Sequence, residues 1–366
     1  MKTSQFWYAL PQNLIAQHPA KERGTDRMLV LERSTCRLYH RHIADIAEYM
    51  SAGDVLVVND TKVFPARLLG RWADTPGEVE ILMVGAAPRD GAPVSTGGGD
   101  ALDSTVWNCI VGSGRKARAG QVAVFGPAGE LEARLEAPLP GIGMWRVTFS
   151  SSRPLAALLD EFGHTPVPPY VKRRGTAEEE MEDRRRYQTV YAKNTGSVAA
   201  PTAGLHFTPA ILDSIRTKGV GVHSVTLHVG PGTFRPVKTV EIEDHKMDFE
   251  AFTVPPETAD AINACKESGG RVFCCGSTVV RTLESVAAST PDGRVAPMSG
   301  ASDIFIYPPY EFKVCDAMLT NFHLPQSTLL MMVSALAGRE RMLCAYALAV
   351  RAEYRFFSYG DCMLII

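Results

Sequence analysis

The sequence predicts a mixed α/β (α+β) fold with two domains, and three observations lead to this prediction. The chain has 366 residues, more than one compact core usually needs. Strand-like and helix-like segments alternate over its second half, which indicates an α/β domain. Between Leu68 and Ser150, by contrast, short strand-like segments alternate with Gly and Pro breaks, a pattern typical of a small antiparallel β sandwich or barrel.

The segment that ends near Arg67 mixes short elements. Apolar runs predict strands in RMLVLER, RLYHRHI and DVLVVND, and helical spacing predicts a helix in IADIAEYM. The strand DVLVVND finds no completion within the β-rich segment that follows it. We therefore interpret residues 68–150 as a smaller domain inserted into a larger one, which residues 1–67 and 151–366 form together.

Helix signals return after the β-rich segment. PLAALLDEFG predicts a short helix that ends at Gly163, and the prolines of TPVPPYVKRRG exclude a helix there. The helix over 209–218 has consistent signals, because Thr208 can cap it, Pro209 suits its first turn and Gly219 suits the position after its end. The later patterns predict helices in PETADAINACKESGG, TVVRTLESVAA, STLLMMVSALAG and RMLCAYALAVRAEY, and strands in GVHSVTLHVG, RVFCCGST, DIFIYPP, CDAMLTNF and DCMLII.

Composition and charge exclude several classes of protein. The formal net charge is -2, whereas proteins that bind mainly nucleic acid are often strongly basic, so any RNA contact must use local patches. The N-terminus lacks a signal peptide and the apolar run TLLMMVSALAG is too short to span a bilayer, so we expect a cytoplasmic protein. The eight cysteines include no CxxC pair, so we expect neither a zinc site nor disulfides.

The glycine motifs exclude two nucleotide-binding folds. Gly230 and Gly232 in TLHVGPGTFRPV lack the third glycine of a dinucleotide-binding loop, and Arg235-Pro236 stands where its helix would begin. No P-loop motif occurs in the sequence. Two interpretations of the cluster stay open, a tight turn at the end of a strand or glycines that let the backbone approach a ligand.

Four of the nine histidines lie at the ends of predicted elements, where loops gather and sites form. They are His206, His228, His245 and His323. A lone histidine is more often structural than catalytic, and the sequence does not show that these four converge. Asp244 precedes His245 directly, so the two side chains need not face each other.

Three basic stretches are candidates for RNA contact: GSGRKARAG, VKRRG and DRRRYQTVY. The last two flank the acidic EEEMED, so a solvated helix with local ion pairs is the favoured interpretation on sequence alone. The alternative is a phosphate-contacting patch with Tyr170 or Tyr187 stacking on a base. Core packing explains most of YRFFSYGDCMLI near the C-terminus, although Tyr359 and Asp361 can still reach a site.

Several long blocks follow one another in an order that one protein family shares. They are LPQNLIAQHPAKERGTDRML, GDVLVVNDTKVFPARL, GSVAAPTAGLHFT, VTLHVGPGTFRPV, EDHKM, DIFIYPPYEFKVCDAMLTNFHLPQSTLLMMVSALAG and YRFFSYGD. These blocks resemble the S-adenosylmethionine:tRNA ribosyltransferase-isomerases of queuosine biosynthesis. The resemblance covers nearly the whole chain.

This resemblance implies a fold and an activity. The implied fold is a larger α/β domain with a barrel-like sheet and flanking helices, plus a smaller inserted antiparallel β-barrel. S-adenosylmethionine is the implied ribosyl donor and co-substrate, with no metal. The implied acceptor is 7-aminomethyl-7-deazaguanine (preQ1) at the wobble position of tRNAs with GUN anticodons, and the products are epoxyqueuosine in tRNA, adenine and methionine. We expect a monomer that does not associate with membranes.

The matching blocks also contain the expected site residues. We expect acid–base or electrostatic roles for His206, His228, Asp244, His245 and His323. We expect ligand contacts from Pro201, Thr202, Ala203, Gly204, Gly230, Gly232, Thr233, Arg281, Asn321, Tyr359 and Asp361, and tRNA contacts from Arg173, Arg174, Arg184 and Arg185. Arg281 and Asn321 are candidates for the methionine carboxylate or the edge of the deazaguanine.

One departure from the family pattern and two other functions complete the prediction. The family commonly has a second histidine shortly after the EDH element, where this chain has Asp248. A non-catalytic RNA-binding protein with the same fold would bind tRNA without releasing adenine. A conventional methyltransferase would yield S-adenosylhomocysteine, but the missing glycine fingerprint argues against it.

Overall fold

The computed structural model describes residues 1–87, 102, 104–113, 117–230, 232 and 237–366. In chain order, the strands within these residues are β1 (Arg27–Glu32), β2 (Arg37–His42), β3 (Val55–Asn59), β4 (Thr61–Val63), β5 (Arg67–Trp72), β6 (Glu78–Ala86), β7 (Val106–Ser113), β8 (Val122–Phe125), β9 (Leu131–Pro138), β10 (Met144–Ser151), β11 (Asn194–Ser197), β12 (Gly221–Leu227), β13 (Glu250–Val254), β14 (Val272–Cys275), β15 (Met298–Ser302), β16 (Ala317–Asn321) and β17 (Cys362–Ile365).

The helices of the described residues follow the strands or cover the sheet. The α-helices are α1 (Leu155–Phe162), α2 (Ala177–Arg186), α3 (Pro209–Thr217), α4 (Pro256–Glu267), α5 (Ser277–Ser289), α6 (Thr328–Ala337) and α7 (Arg339–Arg351). Short 3-10 helices cover Thr3–Phe6, Gln12–Leu14, Ile43–Tyr49, Thr202–His206 and Ile242–Asp244.

A nine-stranded sheet forms the larger part of the molecule, in the order β15-β13-β12-β3-β14-β16-β17-β1-β2. Strands β12, β3, β14 and β16 are parallel to one another. Along β3, Val55 and Val57 pack into one apolar cluster with helices α4 to α7, and Leu56 and Val58 pack into another with α3. Both faces of the sheet are therefore buried, which explains the continuous apolar run of DVLVVND.

A closed barrel of six antiparallel strands forms the smaller part, in the order β10-β7-β6-β5-β8-β9. Its interior holds Leu68, Ile81, Trp107, Phe125 and Val147, all buried. These strands come from the segment in which the sequence predicts an inserted antiparallel module. The mixed α/β fold with a smaller antiparallel barrel is confirmed, and the division of the chain into two domains stays a prediction.

Two local predictions differ from the structure. The strand predicted in DIFIYPP is wrong, since β15 ends at Ser302 and residues 303–309 have no regular structure. The prolines of that segment cannot donate to a ladder, while Ile306 is buried, so the apolar pattern belongs to a buried loop. IADIAEYM forms a 3-10 helix over Ile43–Tyr49. The predicted loop over 87–104 lies almost entirely outside the described residues, as do residues 114–116 of GSGRKARAG.

One edge of the nine-stranded sheet collects chain segments that are far apart in sequence. Strands β3, β14 and β16 end there, at Asn59, Cys275 and Asn321. Strand β17 is antiparallel to β16, with Cys362 opposite Asn321, and β1 is parallel to β17, with Met28 opposite Cys362. The loops before β1 and β17 therefore meet the loops after β3, β14 and β16, and open α/β sheets commonly bind ligands at such an edge.

Candidate functional site

A cleft at this sheet edge, which we call the first cleft, brings together several predicted site residues. Its open space, including solvent at its mouth, measures about 510 Å³. The predicted residues Pro201, Thr202, Ala203, Asn321 and His323 all line it. The other lining residues are Ala200, Val229, Gly276, Ser277, Thr278, Thr320, Leu329, Phe357 and Ser358.

A buried hydrogen-bonded chain of three side chains lies behind this cleft. His206 Nδ1 lies 2.8 Å from Asp26 Oδ2, and His206 Nε2 lies 3.1 Å from Asn321 Nδ2. The exposed fractions of the three residues are 8%, 3% and 3% for Asp26, His206 and Asn321. Both ring nitrogens of His206 therefore have protein partners, and water does not compete for them.

His323 forms a neutral part of the wall of the first cleft. Burial lowers the pKa of its imidazole to about 3, so the ring is uncharged at neutral pH. Its Nε2 lies 2.9 Å from Thr320 Oγ1, and its backbone N–H donates to the Tyr346 hydroxyl at 3.0 Å. The hydroxyl of Tyr8 donates to its carbonyl oxygen. These contacts hold the ring in one orientation.

His228 lies at the end of β12, next to the first cleft rather than in its lining. Its Nδ1 lies 2.8 Å from Thr61 Oγ1. Gly196 packs against the ring, since a Cβ at that position would lie 2.7 Å from the ring Cε1. The following residue, Val229, does line the cleft. A role of His228 in proton transfer stays a prediction.

A second cleft lies beside the first, between the barrel and the nine-stranded sheet. It is wider, with about 1350 Å³ of open space including solvent. The turn between β9 and β10 contributes Gly141 and Ile142, and the N-terminus of α6 contributes Thr328 next to Leu329 of the first cleft. Its remaining lining residues are Ile110, Gly232, Lys238, Thr239, His245, Lys246, Met247, Asp248, Glu250 and Arg281.

His245 is the histidine of the second cleft, and it is half-buried. Its ring lies against Phe305 in an edge-on arrangement, with 5.3 Å between ring centroids. Burial lowers the pKa of His245, and the charge of Asp248 partly opposes that shift. Gly232 packs directly against the Asp248 carboxylate, because a Cβ at 232 would overlap Oδ2. The aspartate that replaces the usual family histidine thus faces the same cleft as His245.

Arg281 lines the second cleft but already has partners. Its Nη1 forms an ion pair with Glu250, and its Nη2 donates to the Ser302 carbonyl at 3.1 Å. The other carboxylate oxygen of Glu250 accepts the backbone N–H of Gly230 at 3.0 Å. Arg281 therefore acts on the Gly230 turn through Glu250. Its predicted contact with a carboxylate of the ligand stays a prediction.

Comparison with known proteins identifies the family. Residues 3–365 match the sequence profile of the family described as queuosine biosynthesis protein. The chain belongs to this family. The resemblance read from the sequence blocks is thereby confirmed.

Relatives in this family match the chain over its full length. One from Moorella thermoacetica is 47% identical over 366 residues and covers 100% of both chains. One from Caldanaerobacter subterraneus subsp. tengcongensis is 46% identical over 367 residues, again with 100% of both chains. Both are named S-adenosylmethionine:tRNA ribosyltransferase-isomerase. The solved structure of S-adenosylmethionine tRNA ribosyltransferase from Thermotoga maritima is 33% identical, covers 99% of this chain and 100% of that chain, and has a TM-score of 0.53.

In this member of the queuosine family, the four arginines predicted to contact tRNA form two groups. Arg173 donates to both carboxylate oxygens of Asp183 at 2.8 Å. Arg184 pairs with Glu180 and donates to backbone carbonyls at the end of α1. These two arginines hold the segment together. Arg174 pairs with Glu179 at 3.3 Å but its side chain is 84% exposed, and Arg185 is also exposed. The solvated-helix interpretation therefore describes part of the patch.

The two tyrosines considered for base stacking are engaged within the protein. Tyr187 is 1% exposed and packs edge-on against Tyr359, so the predicted stacking role is wrong for this residue. Tyr170 packs against Phe357 with 4.2 Å between ring centroids, and its hydroxyl accepts the backbone N–H of Ser358 at 3.1 Å. Tyr170 thus supports the loop that closes the first cleft.

The remaining predicted residues near the sheet edge have structural contacts. Tyr359 lines a small pocket beside His206. Asp361 accepts the backbone N–H groups of Arg27 at 3.0 Å and Arg355 at 2.8 Å, so it joins the starts of β1 and β17. At Gly204, a Cβ would overlap the Tyr191 hydroxyl, so this glycine is required for packing.

Two predicted residues of the 230–250 region need separate mention. Asp244 is exposed and does not line the second cleft in the described part of the chain, where Asp248 stands beside His245 instead. The acid–base or electrostatic role expected for Asp244 stays a prediction. Thr233 lies outside the described residues.

Sequence reasoning missed several residues in and behind the first cleft. Asp26, which lies behind the cleft, directly precedes β1, and the lining residues Gly276, Ser277 and Thr278 stand at the start of α5 after β14. The sequence did contain a sign that these residues could belong to a site, since each stands where a predicted strand begins or ends. What the sequence did not contain was the strand order, which places β1 and β17 beside β16.

Among the described ranges, no group of three or more His, Cys, Asp or Glu side chains has the geometry to hold a metal ion. In the same ranges, no helix has the length and apolar composition needed to cross a membrane.

Proposed function

We propose that the chain transfers and isomerises the ribosyl group of S-adenosylmethionine onto 7-aminomethyl-7-deazaguanine at the wobble position of tRNAs with GUN anticodons. The products are epoxyqueuosine in the tRNA, adenine and methionine. The observation that carries this proposal is the first cleft, where residues from separate family blocks, PTAGLH, TNFH and RFFSYGD, meet at one sheet edge.

The proposed reaction begins with the loss of a proton from the ribosyl C5′, which the adjacent sulfonium acidifies. Adenine then leaves, the aminomethyl nitrogen attacks the ribosyl group, and methionine leaves as the epoxide forms. We assign the C5′ proton to His245, because it is half-buried in the lining of the second cleft and stands there with Asp248. The charge of Asp248 would favour the imidazolium that results.

The test measures products from the purified chain, S-adenosylmethionine and an anticodon stem-loop that carries 7-aminomethyl-7-deazaguanine. We expect adenine and methionine in equal amounts, together with a heavier stem-loop. A stem-loop with guanine at the wobble position is the matched control and should give neither product. S-adenosylhomocysteine would indicate a methyltransferase instead, and stem-loop binding without adenine release would indicate a non-catalytic RNA-binding protein.

We also propose that Arg174 and Arg185 contact the tRNA backbone. Both are exposed, and Arg174 pairs with Glu179, whereas Arg173 and Arg184 combine an ion pair with hydrogen bonds to distant backbone carbonyls. The double variant Arg174→Glu and Arg185→Glu should weaken tRNA binding and flatten its dependence on salt, because fewer counterions are released. Charge reversal of exposed Arg216, which lies on α3 next to Asp213, serves as the control. Equal binding and equal salt slopes in both variants would contradict the proposed contact.

A further inference from the structure

We propose that the side-chain oxygen of Asn321 binds the 6-amino group of the adenine of S-adenosylmethionine. Asp26 and His206 are then positioning residues, which hold the Asn321 carboxamide in place together with the Phe357 carbonyl. This inference rests on the proposed function, since it takes S-adenosylmethionine as the substrate. It assigns one named contact to the first cleft.

The orientation of the Asn321 carboxamide follows from its neighbours. One of its terminal atoms lies 3.2 Å from the carbonyl oxygen of Phe357. A carbonyl oxygen only accepts hydrogen bonds, so the atom beside it must be the nitrogen, Nδ2. The reversed orientation would place two acceptors against each other. The same Nδ2 lies 3.1 Å from His206 Nε2, and its two hydrogens serve both partners.

The orientation of Asn321 in turn fixes the tautomer of His206. Since His206 Nε2 accepts a hydrogen bond, it carries no proton, and the proton of the neutral ring is on Nδ1. Nδ1 lies 2.8 Å from Asp26 Oδ2 and donates to it. The carboxylate of Asp26 can only accept, so the hydrogen bonds that link Asn321, His206 and Asp26 have a single consistent set of donors and acceptors. With both nitrogens engaged, His206 acts through Asn321 rather than on the substrate.

This arrangement leaves Asn321 Oδ1 for a ligand. The oxygen is buried and has no hydrogen-bond partner among the residues that the structure describes. A buried acceptor without a partner is costly, and such atoms are rare in folded proteins. Asn321 lines the first cleft, so a ligand in this cleft can supply the missing donor. An acceptor does not bind a carboxylate, which excludes the methionine carboxylate as the partner of this oxygen.

The lining of the first cleft indicates which hydrogen-bond donor of the substrates can bind Asn321 Oδ1. Its walls are largely apolar, with Ala203, Val229, Leu329 and Phe357, and none of its described lining residues is acidic. A cationic amine, whether of methionine or of the aminomethyl acceptor, would lose its hydration there without gaining a counter-charge. The 6-amino group of adenine is a neutral donor on a flat ring that suits apolar walls. The adenine amino group therefore fits Asn321 Oδ1. The 2-amino group of 7-aminomethyl-7-deazaguanine is also a neutral donor on a flat ring, and the experiment below distinguishes the two, because only adenine is changed in it.

The first experiment needs only the unmodified protein and a saturating amount of preQ1-containing stem-loop. It compares kcat/KM for methionine release between S-adenosylmethionine and its analogue with hypoxanthine in place of adenine. In the analogue, a 6-oxo group replaces the 6-amino group, so an acceptor lies opposite the acceptor Asn321 Oδ1. We therefore expect kcat/KM to fall by at least about 30-fold. A ratio below about threefold, in a protein that does release methionine from S-adenosylmethionine, overturns this inference alone. No methionine release from S-adenosylmethionine itself would overturn the proposed function.

The second experiment tests the positioning residues. Asp26→Asn keeps the shape of the side chain but removes the carboxylate that accepts the Nδ1 proton of His206, so Asn321 keeps the Phe357 carbonyl as its one fixed partner and is held less firmly. We expect the preference for S-adenosylmethionine to fall at least about threefold below that of the unmodified protein. A merely structural role would lower kcat/KM for both substrates alike and keep the ratio, and that result overturns the positioning role. Asn321→Ala should also abolish the preference, with thermal unfolding as the check that the variant folds.

A matched control is available in α6. Ser334 is 1% exposed, and its hydroxyl also has no partner among the described residues, but it does not line the first cleft. Ser334→Ala should keep the full preference for S-adenosylmethionine. Loss of the preference in this variant too would mean that the ratio reports general destabilisation, and would overturn the assignment of Asn321.

Discussion

The first and second clefts lie side by side at one edge of the sheet, yet their linings differ in burial and in charge. In the first cleft, Asn321 and His323 are 3% and 4% exposed, and none of the described lining residues carries a charge at neutral pH. The second cleft is wider, and Lys238, Lys246 and Asp248 contribute charges to its lining. Its histidine, His245, is only half-buried.

This difference indicates that the two neighbouring clefts have different functions. A buried, neutral and hydrogen-bonded lining holds one group in one orientation, as a base-binding pocket must. A wider cleft with charges of both signs can accommodate the appearance and loss of charge during a reaction. Substitutions in the first cleft should therefore change stability and substrate discrimination, and substitutions in the second should change turnover.

The largest expected effect is on turnover, from His245→Ala in the second cleft. If His245 accepts the C5′ proton, kcat should fall by about 10²–10⁴-fold. The free energy of unfolding should change by less than about 1 kcal/mol, since the side chain is half-buried and packs mainly against Phe305. Methionine release and urea-induced unfolding measure the two quantities.

His223→Ala is the matched control for that prediction. His223 is also partly buried, burial also lowers its pKa, and it lies on β12 outside both clefts. It should keep near wild-type kcat. If kcat for His245→Ala stays within about threefold of kcat for His223→Ala, another group accepts the C5′ proton.

The next effect is on stability, from His206→Ala behind the first cleft. Asp26 would lose the N–H donor of the imidazole while remaining buried, and Asn321 Nδ2 would lose an acceptor. We expect the free energy of unfolding to fall by about 3 kcal/mol. In a double-mutant cycle, Asp26→Ala should cost less in the His206→Ala background than in the wild type. Strictly additive effects would mean that the two side chains do not depend on each other.

Sequence reasoning predicted the elements better than their arrangement. DVLVVND, RVFCCGST and CDAMLTNF contain enough consecutive apolar residues to predict buried strands, and the structure confirms all of them as β3, β14 and β16. The strand predicted in DIFIYPP was wrong because a buried loop and a buried strand both need apolar residues. Periodicity reports burial, and the prolines were the better indicator of backbone conformation there.

The candidate site was predictable only in part. Pro201, Thr202, Ala203, Asn321 and His323 belong to family blocks, and the structure brings them into one cleft. Asp26 shares a family block with the first strand, but no local pattern links it to His206, which lies 180 positions later in the chain. Their contact depends on β1 being placed next to β17, and long-range strand order is not a property of any local pattern.

Two glycines allow a direct comparison of rigidity: Gly204 follows the lining residue Ala203 of the first cleft, and Gly232 lines the second. In Gly204→Ala the new Cβ would overlap the Tyr191 hydroxyl and lie 2.9 Å from Thr189 Cγ2, and Thr189 is 5% exposed. We expect a loss of about 2 kcal/mol in the free energy of unfolding, because these neighbours cannot move away freely.

The second glycine should be more tolerant. In Gly232→Ala the new Cβ would overlap the carboxylate of Asp248, an exposed side chain that can rotate. Unfolding should change by less than about 1 kcal/mol, while kcat falls because Asp248 moves relative to His245. Equal destabilisation in both variants, measured by urea-induced unfolding, would remove the distinction between a rigid and an adaptable cleft.

The smallest effect concerns the pH dependence of stability. The pKa of His323 is about 3 in the folded protein, against about 6.5 in an unfolded chain, so protonation favours unfolding. Its contribution to stability is complete above pH 6.5 and declines as the pH falls below that value towards 3. Between pH 6.5 and 5.5 this group alone should lower the free energy of unfolding by about 1 kcal/mol, and His323→Gln should remove that loss.

The pKa of His245 is lowered as well, but its ring is half-buried and the charge of Asp248 opposes the shift, so His245→Gln should remove a smaller part of the loss. Urea-induced unfolding of the three proteins at both pH values provides the comparison. An acid sensitivity that His245→Gln removes more completely than His323→Gln would place the buried neutral histidine in the second cleft and reverse the assignment of the two clefts.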